Sequence, residues 1–355
     1  PLMHIHDHLD TIDACRFCFM CRHLDTTANV TFREADIPRG RALILDRVRM
    51  NPEQLSNSDY INTMYDCALS AACRQHCVSS YDEAGLVLAA RSDIVEAGLT
   101  PCDVKTLADS LVAEFATEMT GNAGDILYIE TTAYQAGQPE IAAAFGKAMA
   151  AAGVAFRTLR VNDTGKALAV LGFADQAAEA ARQTWDAITA SGCSTVVASC
   201  PATFDAIKGD STGLGAALDG LNIQHTSTYL LGLVTSGQLT AKANRAEAIY
   251  IDSDFLRNYN GITDEPRELL GACGYALKPF GTNPEESYAC GEGAVVFARL
   301  RPRLVELMRE RFVELMDSPD DLIITASPYT RHVLSQSDGK PVRVISIEEA
   351  VANRL

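Results

Sequence analysis

Along the first 120 residues the apolar positions recur at helical spacing, as in 41–49 and 104–118, and no segment alternates as a half-buried strand would. This part reads as a small helical domain. The turn-rich TGNAG (120–124) precedes the first continuous apolar run, ILYI (126–129), and puts a domain boundary between them. Beyond it the chain repeats an order of elements. ILYIETTAY (126–134) leads through an Ala-rich helix (140–152) to VAFRTL, a long helix (173–190) and STVVASCPAT (194–203). AIYIDSDFL (248–256) leads likewise through a helix from PRELL (266–270) to YALKPF, a long helix (296–316) and DLIITASPYT (321–330). Apolar strands alternating with helices predict parallel sheets covered by helices, and the matched order predicts duplication. The predicted fold class is α/β, with a helical domain (1–122), a first α/β domain (123–240) and a second (241–355) related to it by a pseudo-twofold.

Composition excludes several functions. With 355 residues, 47% hydrophobic and 21% charged, the chain should fold into two or three domains rather than stay disordered. It has no apolar run of about eighteen residues, and PLMHIHDHLD has neither the basic start nor the apolar stretch of a signal peptide. A cytoplasmic location is expected. A net charge of −16 argues against nucleic acid and anionic membranes, because approach to phosphate is repelled, and suits a neutral or basic protein partner better. The eleven cysteines say more than the charge. Their odd number in such a chain argues against a disulfide framework, and six fall within the first 77 residues.

DACRFCFMCR sets Cys15, Cys18 and Cys21 at C-x-x-C-x-x-C spacing, and CALSAACRQHC ends at Cys77. Three thiolates two residues apart can wrap one cuboidal iron–sulfur cluster, with the fourth ligand supplied from elsewhere. Cys77 is the candidate for that ligand. Tetrahedral zinc on a C-x-x-C with Cys73 and Cys77 is the alternative, yet it leaves one of three evenly spaced cysteines without a role. Free thiols are the remaining reading.

With its two cysteine motifs separated by Pro38-Arg39-Gly40-Arg41, the N-terminal region resembles the ferredoxin domain of a known family. That family comprises the heterodisulfide reductase D subunit, the glycolate oxidase iron–sulfur subunit and the iron–sulfur subunits of amine demethylases of the dimethylglycine type. Two CCG domains follow in the family, in the order of the repeat described above, so the resemblance covers nearly the whole chain. It assigns Cys15, Cys18, Cys21 and Cys77 to one [4Fe–4S] cluster. The family's second cluster would need Asp25, Cys67, Ser70 and Cys73, two of which are not cysteine, and Thr26 and Val78 stand where prolines are expected. Oxygen ligands suit a cuboidal cluster less well than thiolates, so Cys67 and Cys73 are expected to pack as small hydrophobes. The CCG cysteines align with 131–133, Asn162-Asp163, Cys200 and Thr203 in the first copy. In the second they align with Asp254, Ala289-Cys290, Ser327 and Thr330. Only Cys200 and Cys290 survive, in different copies, so these degenerate domains are expected to hold no iron, and both thiols to be buried rather than nucleophilic.

The alternating His4, His6 and His8, with Asp7, could form a metal-binding tract on one face of a strand, but their terminal position favours a solvated or interface segment. GDSTGLGAALDG (209–220) lacks the placement of a nucleotide loop, and the spacing around Trp185 makes it a core residue. A cluster without a flavin, nicotinamide or nucleophile motif makes a relay rather than a site of bond chemistry. The resemblance implies an electron-transfer subunit of a flavin-dependent complex that oxidises an N-methylated amine or a 2-hydroxy acid. The flavin would sit on a partner flavoprotein, and an electron-transfer flavoprotein or ferredoxin would be a further partner. A heterodisulfide-reductase-like thiol–disulfide subunit and an assembly protein with a structural cluster are the other readings.

Overall fold

The computed structural model describes residues 3–121, 124–135, 137–209, 220–242, 244–336 and 342–355. The stretch 210–219, which covers most of the Gly-rich segment, therefore lies outside the described residues. The first part is helical, as the periodicity predicts. Its longer helices are Pro38–Met50, Ser58–Tyr65, Glu83–Glu96 and Cys102–Ala113. Pro38 opens its helix at a position where a missing N–H costs nothing. Asn57 and Asp82 cap theirs by accepting from Tyr60 N and Gly85 N. The predicted helix 104–118 runs too far. It stops at Ala113, and Thr117–Thr120 forms an exposed edge strand, β1, held by pairing rather than by burial.

The histidine stretch is a short helix, Met3–His6, rather than a strand or a solvated tail. Ile5 is fully buried, and Asp93 accepts from His4 N at 3.1 Å and Ile5 N at 2.9 Å. Helical geometry separates the histidines, and His4 pairs with Glu96 at 2.7 Å.

The strands that follow are β2 (Ile126–Thr131), β3 (Arg157–Val161), β4 (Thr195–Ala198), β5 (Asn222–His225), β6 (Ala246–Ile251), β7 (Tyr275–Lys278), β8 (Leu322–Thr325) and β9 (Arg343–Ser346). They form two sheets, β1-β3-β2-β4-β5 and β7-β6-β8-β9, parallel throughout except for β1. Leaving β1 aside, the strand order is the same in both, following the repeated order of elements along the chain. The central strands are apolar runs because helices cover both faces. Leu127–Ile129, Val196–Ala198 and Ile323–Ile324 are all buried. Trp185 is half-buried against this core. The long helix predicted over 296–316 divides into Phe297–Leu300 and Pro302–Glu314, since Pro302 cannot continue a helix.

One buried apolar cluster runs from Ile5 through the helical part into the segments 167–180 and 290–312. Arg91, fully buried, ties these parts together. It donates to Met64 O at 2.8 Å, Cys67 O at 2.9 Å and Val170 O at 2.6 Å. Three otherwise orphaned carbonyls are satisfied by one side chain, and the loop that carries the second cysteine motif is held in place.

Candidate metal centre

Two loops bring the cysteines to one neighbourhood. The helix Leu9–Ala14 stops at Cys15, whose backbone turns extended, and Phe17 takes a left-handed φ of +51° that bends the loop. In the second loop the helix Ala72–His76 stops at Cys77, which is extended in the same way. Arg16 Nε donates to Ser79 Oγ at 3.2 Å, and His23 meets His76 edge-on at 5.9 Å, so the loops are pinned to each other. Cys18 is exposed, while Cys15, Cys21 and Cys77 are half-buried. Burial pushes the Cys15 thiol up, and the neighbouring Cys77 and Cys18 push it further. Cys21 is pushed up to about 11, by burial first and by Cys15 among others, against a backbone hydrogen bond at Arg39.

Pro38-Arg39-Gly40-Arg41 gives each residue a task. Pro38 starts the helix whose N-terminus faces the first loop, an end where free N–H groups and the helix dipole favour anionic sulfur. Arg39 Nη1 donates to Cys18 O at 3.3 Å and Phe17 O at 3.5 Å, and its guanidinium lies 4.0 Å from the Phe19 ring centroid. Gly40 is required because a Cβ would run into the Glu34 carbonyl. Cys15 lies near Cys18 and Cys77, and Cys21 near Cys15, but these thiols do not form a group whose ligand atoms all lie within 4.8 Å of one another among the described residues.

Arg41 is the residue that sequence reasoning missed. Fully buried, its Nη1 donates both to Asp25 Oδ2 at 2.9 Å and to Glu83 Oε1. Asp25 also accepts from Ala28 N at 2.8 Å. Ligand atoms of Asp25, Cys73 and Glu83 lie within 4.8 Å of one another, so two of the four positions aligned with a second cluster, Asp25 and Cys73, do meet, beside a guanidinium. Cys73 is occupied, donating to Cys21 O at 3.6 Å. Burial pushes Cys67 up to about 12 and Cys73 well up. Glu83 rises to about 7, burial outweighing Arg41. Cys67 and Cys73 are both buried beside this carboxylate–guanidinium network.

The positions aligned with the family's CCG cysteines also meet in space, carrying other groups. Thr131 and Thr203 hydroxyls are 2.6 Å apart, and Cys200 is buried, its thiol pushed up to about 12. In the second copy Ser253 Oγ and Asp254 N donate to Glu292 at 2.8 and 2.6 Å, and Gly293 N donates to Asp254 at 3.3 Å. Burial drives Glu292 up to about 7 and Asp254 well above the usual carboxylate range. Tyr329 and Thr330 donate to Cys290 O and Ala289 O, and burial pushes the Cys290 thiol up to about 12. Both thiols are buried, and although Arg309 offsets part of the rise at Cys290, burial prevails at each, unlike the accessible, cationic setting of a nucleophile. Glu292 carried no sequence signal, since it lies 38 residues from Asp254. Asn258 joins this pair to the cysteine loop by donating to Ser70 O at 2.8 Å.

Comparison with known proteins points to iron–sulfur oxidoreductases as a class. Over 317 residues, 81% of this chain and 76% of the relative, the chain is 22% identical to the D subunit of the dihydromethanophenazine:CoB–CoM heterodisulfide reductase of Methanosarcina barkeri. A "Probable membrane-anchored ferredoxin" of Chromohalobacter salexigens is 24% identical over 258 residues, 65% of this chain and 38% of that protein. An EtfAB:quinone oxidoreductase of Syntrophomonas wolfei shares 29% identity over 103 residues, and the match spans 14% of its length. No protein-family profile and no solved structure matches the chain. Among the described residues no helix is long and apolar enough to cross a membrane.

Proposed function

We propose that Cys15, Cys18, Cys21 and Cys77 hold one [4Fe–4S] cluster and that the chain is the iron–sulfur electron-transfer subunit of a cytoplasmic, multisubunit, flavin-dependent oxidoreductase. The observation that supports this best is the pair of pinned cysteine loops, which meet at the N-terminus of Pro38–Met50 with Cys18 at the surface. The cluster, when bound, supplies one-electron chemistry. Among the chain's own residues Arg39 opposes the burial that raises the thiols, setting its backbone hydrogen bond on Cys21 and its cation against the first loop. Substrate oxidation, of a small N-methylated amine or a 2-hydroxy acid, belongs to a flavoprotein partner, with an electron-transfer flavoprotein or ferredoxin as the other exchange partner.

A thiol–disulfide role is favoured by the name of the relative that covers 81% of the chain. It requires reactive thiols where this chain has Thr131, Thr203, Asp254 and Ser327. An anaerobic redox titration followed by EPR separates the readings. A cluster that cycles reversibly, with no turnover of amine or hydroxy acid by the isolated chain, is the expected result. A cluster that cannot be reduced would make it a structural staple, and turnover by the flavin-free chain would make it a self-sufficient enzyme.

A further inference from the structure

The surface around Cys18 has a composition opposite to that of the whole protein. Apolar side chains crowd it: Phe19 is 68% exposed, Phe32 82% and Val78 82%, with Phe17 and Met20 beside them. Five of the nine large hydrophobics exposed among the described residues thus flank the two cysteine loops. Such a concentration marks an interaction site in a way that scattered exposed residues do not. Two of the aromatics are displayed at a cost. Phe17 and Phe32 have φ of +51° and +56°, a conformation that costs an ordinary L-residue about 1 kcal/mol.

The charge is inverted here too. Between residues 15 and 39 stand Arg16, Arg22, Arg33 and Arg39, while Asp25 and Asp36 are buried, leaving Glu34 as the exposed carboxylate. Glu285, paired with His76 at 2.9 Å, lies beside the second loop. The patch is continuous. Arg39 links Phe17, Cys18 and Phe19, Arg16 reaches Ser79 next to Val78, and a hollow of about 350 Å³ joins Phe19, Arg22, Phe32 and Arg33. On a chain of net charge −16, an acidic partner is repelled by the protein as a whole and attracted at this face. At physiological salt screening leaves charges within about 8 Å in command. The fit is to an acidic face with an apolar centre, and the redox centre proposed beneath it makes a redox protein, rather than a membrane surface, the occupant.

Resting on the reading of Cys15, Cys18, Cys21 and Cys77 as an electron-transfer centre, we propose that this face docks a redox protein through an acidic, apolar-centred contact surface. Partner identity is then restricted by charge, against the neutral or basic partner that overall composition suggests.

The test uses the full, cluster-loaded chain and flavodoxin, a small acidic flavin protein, as the probe. One electron passes from the reduced cluster to the oxidised flavin, and stopped-flow absorbance gives the second-order rate constant at 0.1 M salt. Replacing Arg22→Glu with Arg33→Glu should lower that constant by at least about tenfold. Replacing Arg182→Glu with Arg303→Glu, at exposed sites elsewhere in the sequence, makes the same change in net charge and should alter it less than about twofold. Phe19→Ser with Phe32→Ser should also slow transfer. All variants should keep their iron and their rate with a small neutral quinone. Equal rates for the two charge variants would overturn the proposal, as would binding to anionic vesicles lost in the Arg22/Arg33 variant without change in the flavodoxin rate. Failure of the quinone to oxidise the wild-type cluster would overturn the electron-transfer reading itself and this proposal with it.

Discussion

Replacing Arg41 by Met removes the guanidinium that two buried carboxylates share. Asp25 and Glu83 side chains are 8% and 9% exposed and Arg41 0%, so none of the three charges can turn to solvent. Breaking a buried pair by removing one partner costs about 3–5 kcal/mol, because the remaining charge stays desolvated. Two effects soften this. Glu83, already raised to about 7, can take up a proton, and Arg41 Nε and Nη2, buried without hydrogen-bond partners among the described residues, no longer add their own desolvation cost. A loss of about 3 kcal/mol at pH 8 is therefore expected. The neutral triple variant Arg41→Met, Asp25→Asn, Glu83→Gln should recover to within about 1 kcal/mol of the parent, since no uncompensated charge remains. Anaerobic urea unfolding of the cluster-loaded proteins, followed by far-ultraviolet circular dichroism, measures both. A single-variant loss below about 1 kcal/mol, or a triple variant no more stable than the single one, would refute the reasoning.

Glu348, buried and raised to about 7 chiefly by burial, favours its protonated form in the fold, so the stability it contributes below its ordinary value of 4.5 is lost as pH rises through 7. Glu348→Gln should flatten the decline in unfolding free energy between pH 5 and 8.5 by an amount of order 3 kcal/mol, and an unchanged slope would contradict this. Gly293→Ala would drive a Cβ into the Leu69 and Ala68 carbonyls of the cysteine loop, so thermal unfolding should show a loss of about 2 kcal/mol or more together with faster iron release. Cys200→Ala and Cys290→Ala should leave iron content unchanged by colorimetric assay. Loss of iron in either would place metal in the α/β part.

The elements most legible in the sequence were those whose own residues decide them. ILYI, TVVA, AIYI and LIIT are strands because short apolar runs bounded by turn signals suit a doubly covered sheet, and the C-x-x-C-x-x-C spacing points to metal chemistry without a fold. The edge strands β1, β5 and β9 were not legible: TEMT is wholly exposed and NIQH mostly polar, so pairing with a neighbour decides them, not pattern. Pro38-Arg39-Gly40-Arg41 was visible as a motif, but an arginine in a helical segment reads as solvated. Its burial follows from Asp25 and Glu83, 16 and 42 residues away. The Asp254–Glu292 pair escaped for the same reason, and the histidine stretch was misjudged because Asp93, which holds it, lies 88 residues from Ile5.

The central claim is one cluster on four cysteines, and iron and acid-labile sulfide per anaerobically purified chain test it most directly, measured alongside Cys18→Ser. The account predicts about four irons and four sulfides per chain with a single [4Fe–4S] EPR signature on reduction, and a Cys18→Ser protein that has lost them. Zinc in place of iron, close to eight irons per chain, or a Cys18→Ser variant with its iron intact would contradict it.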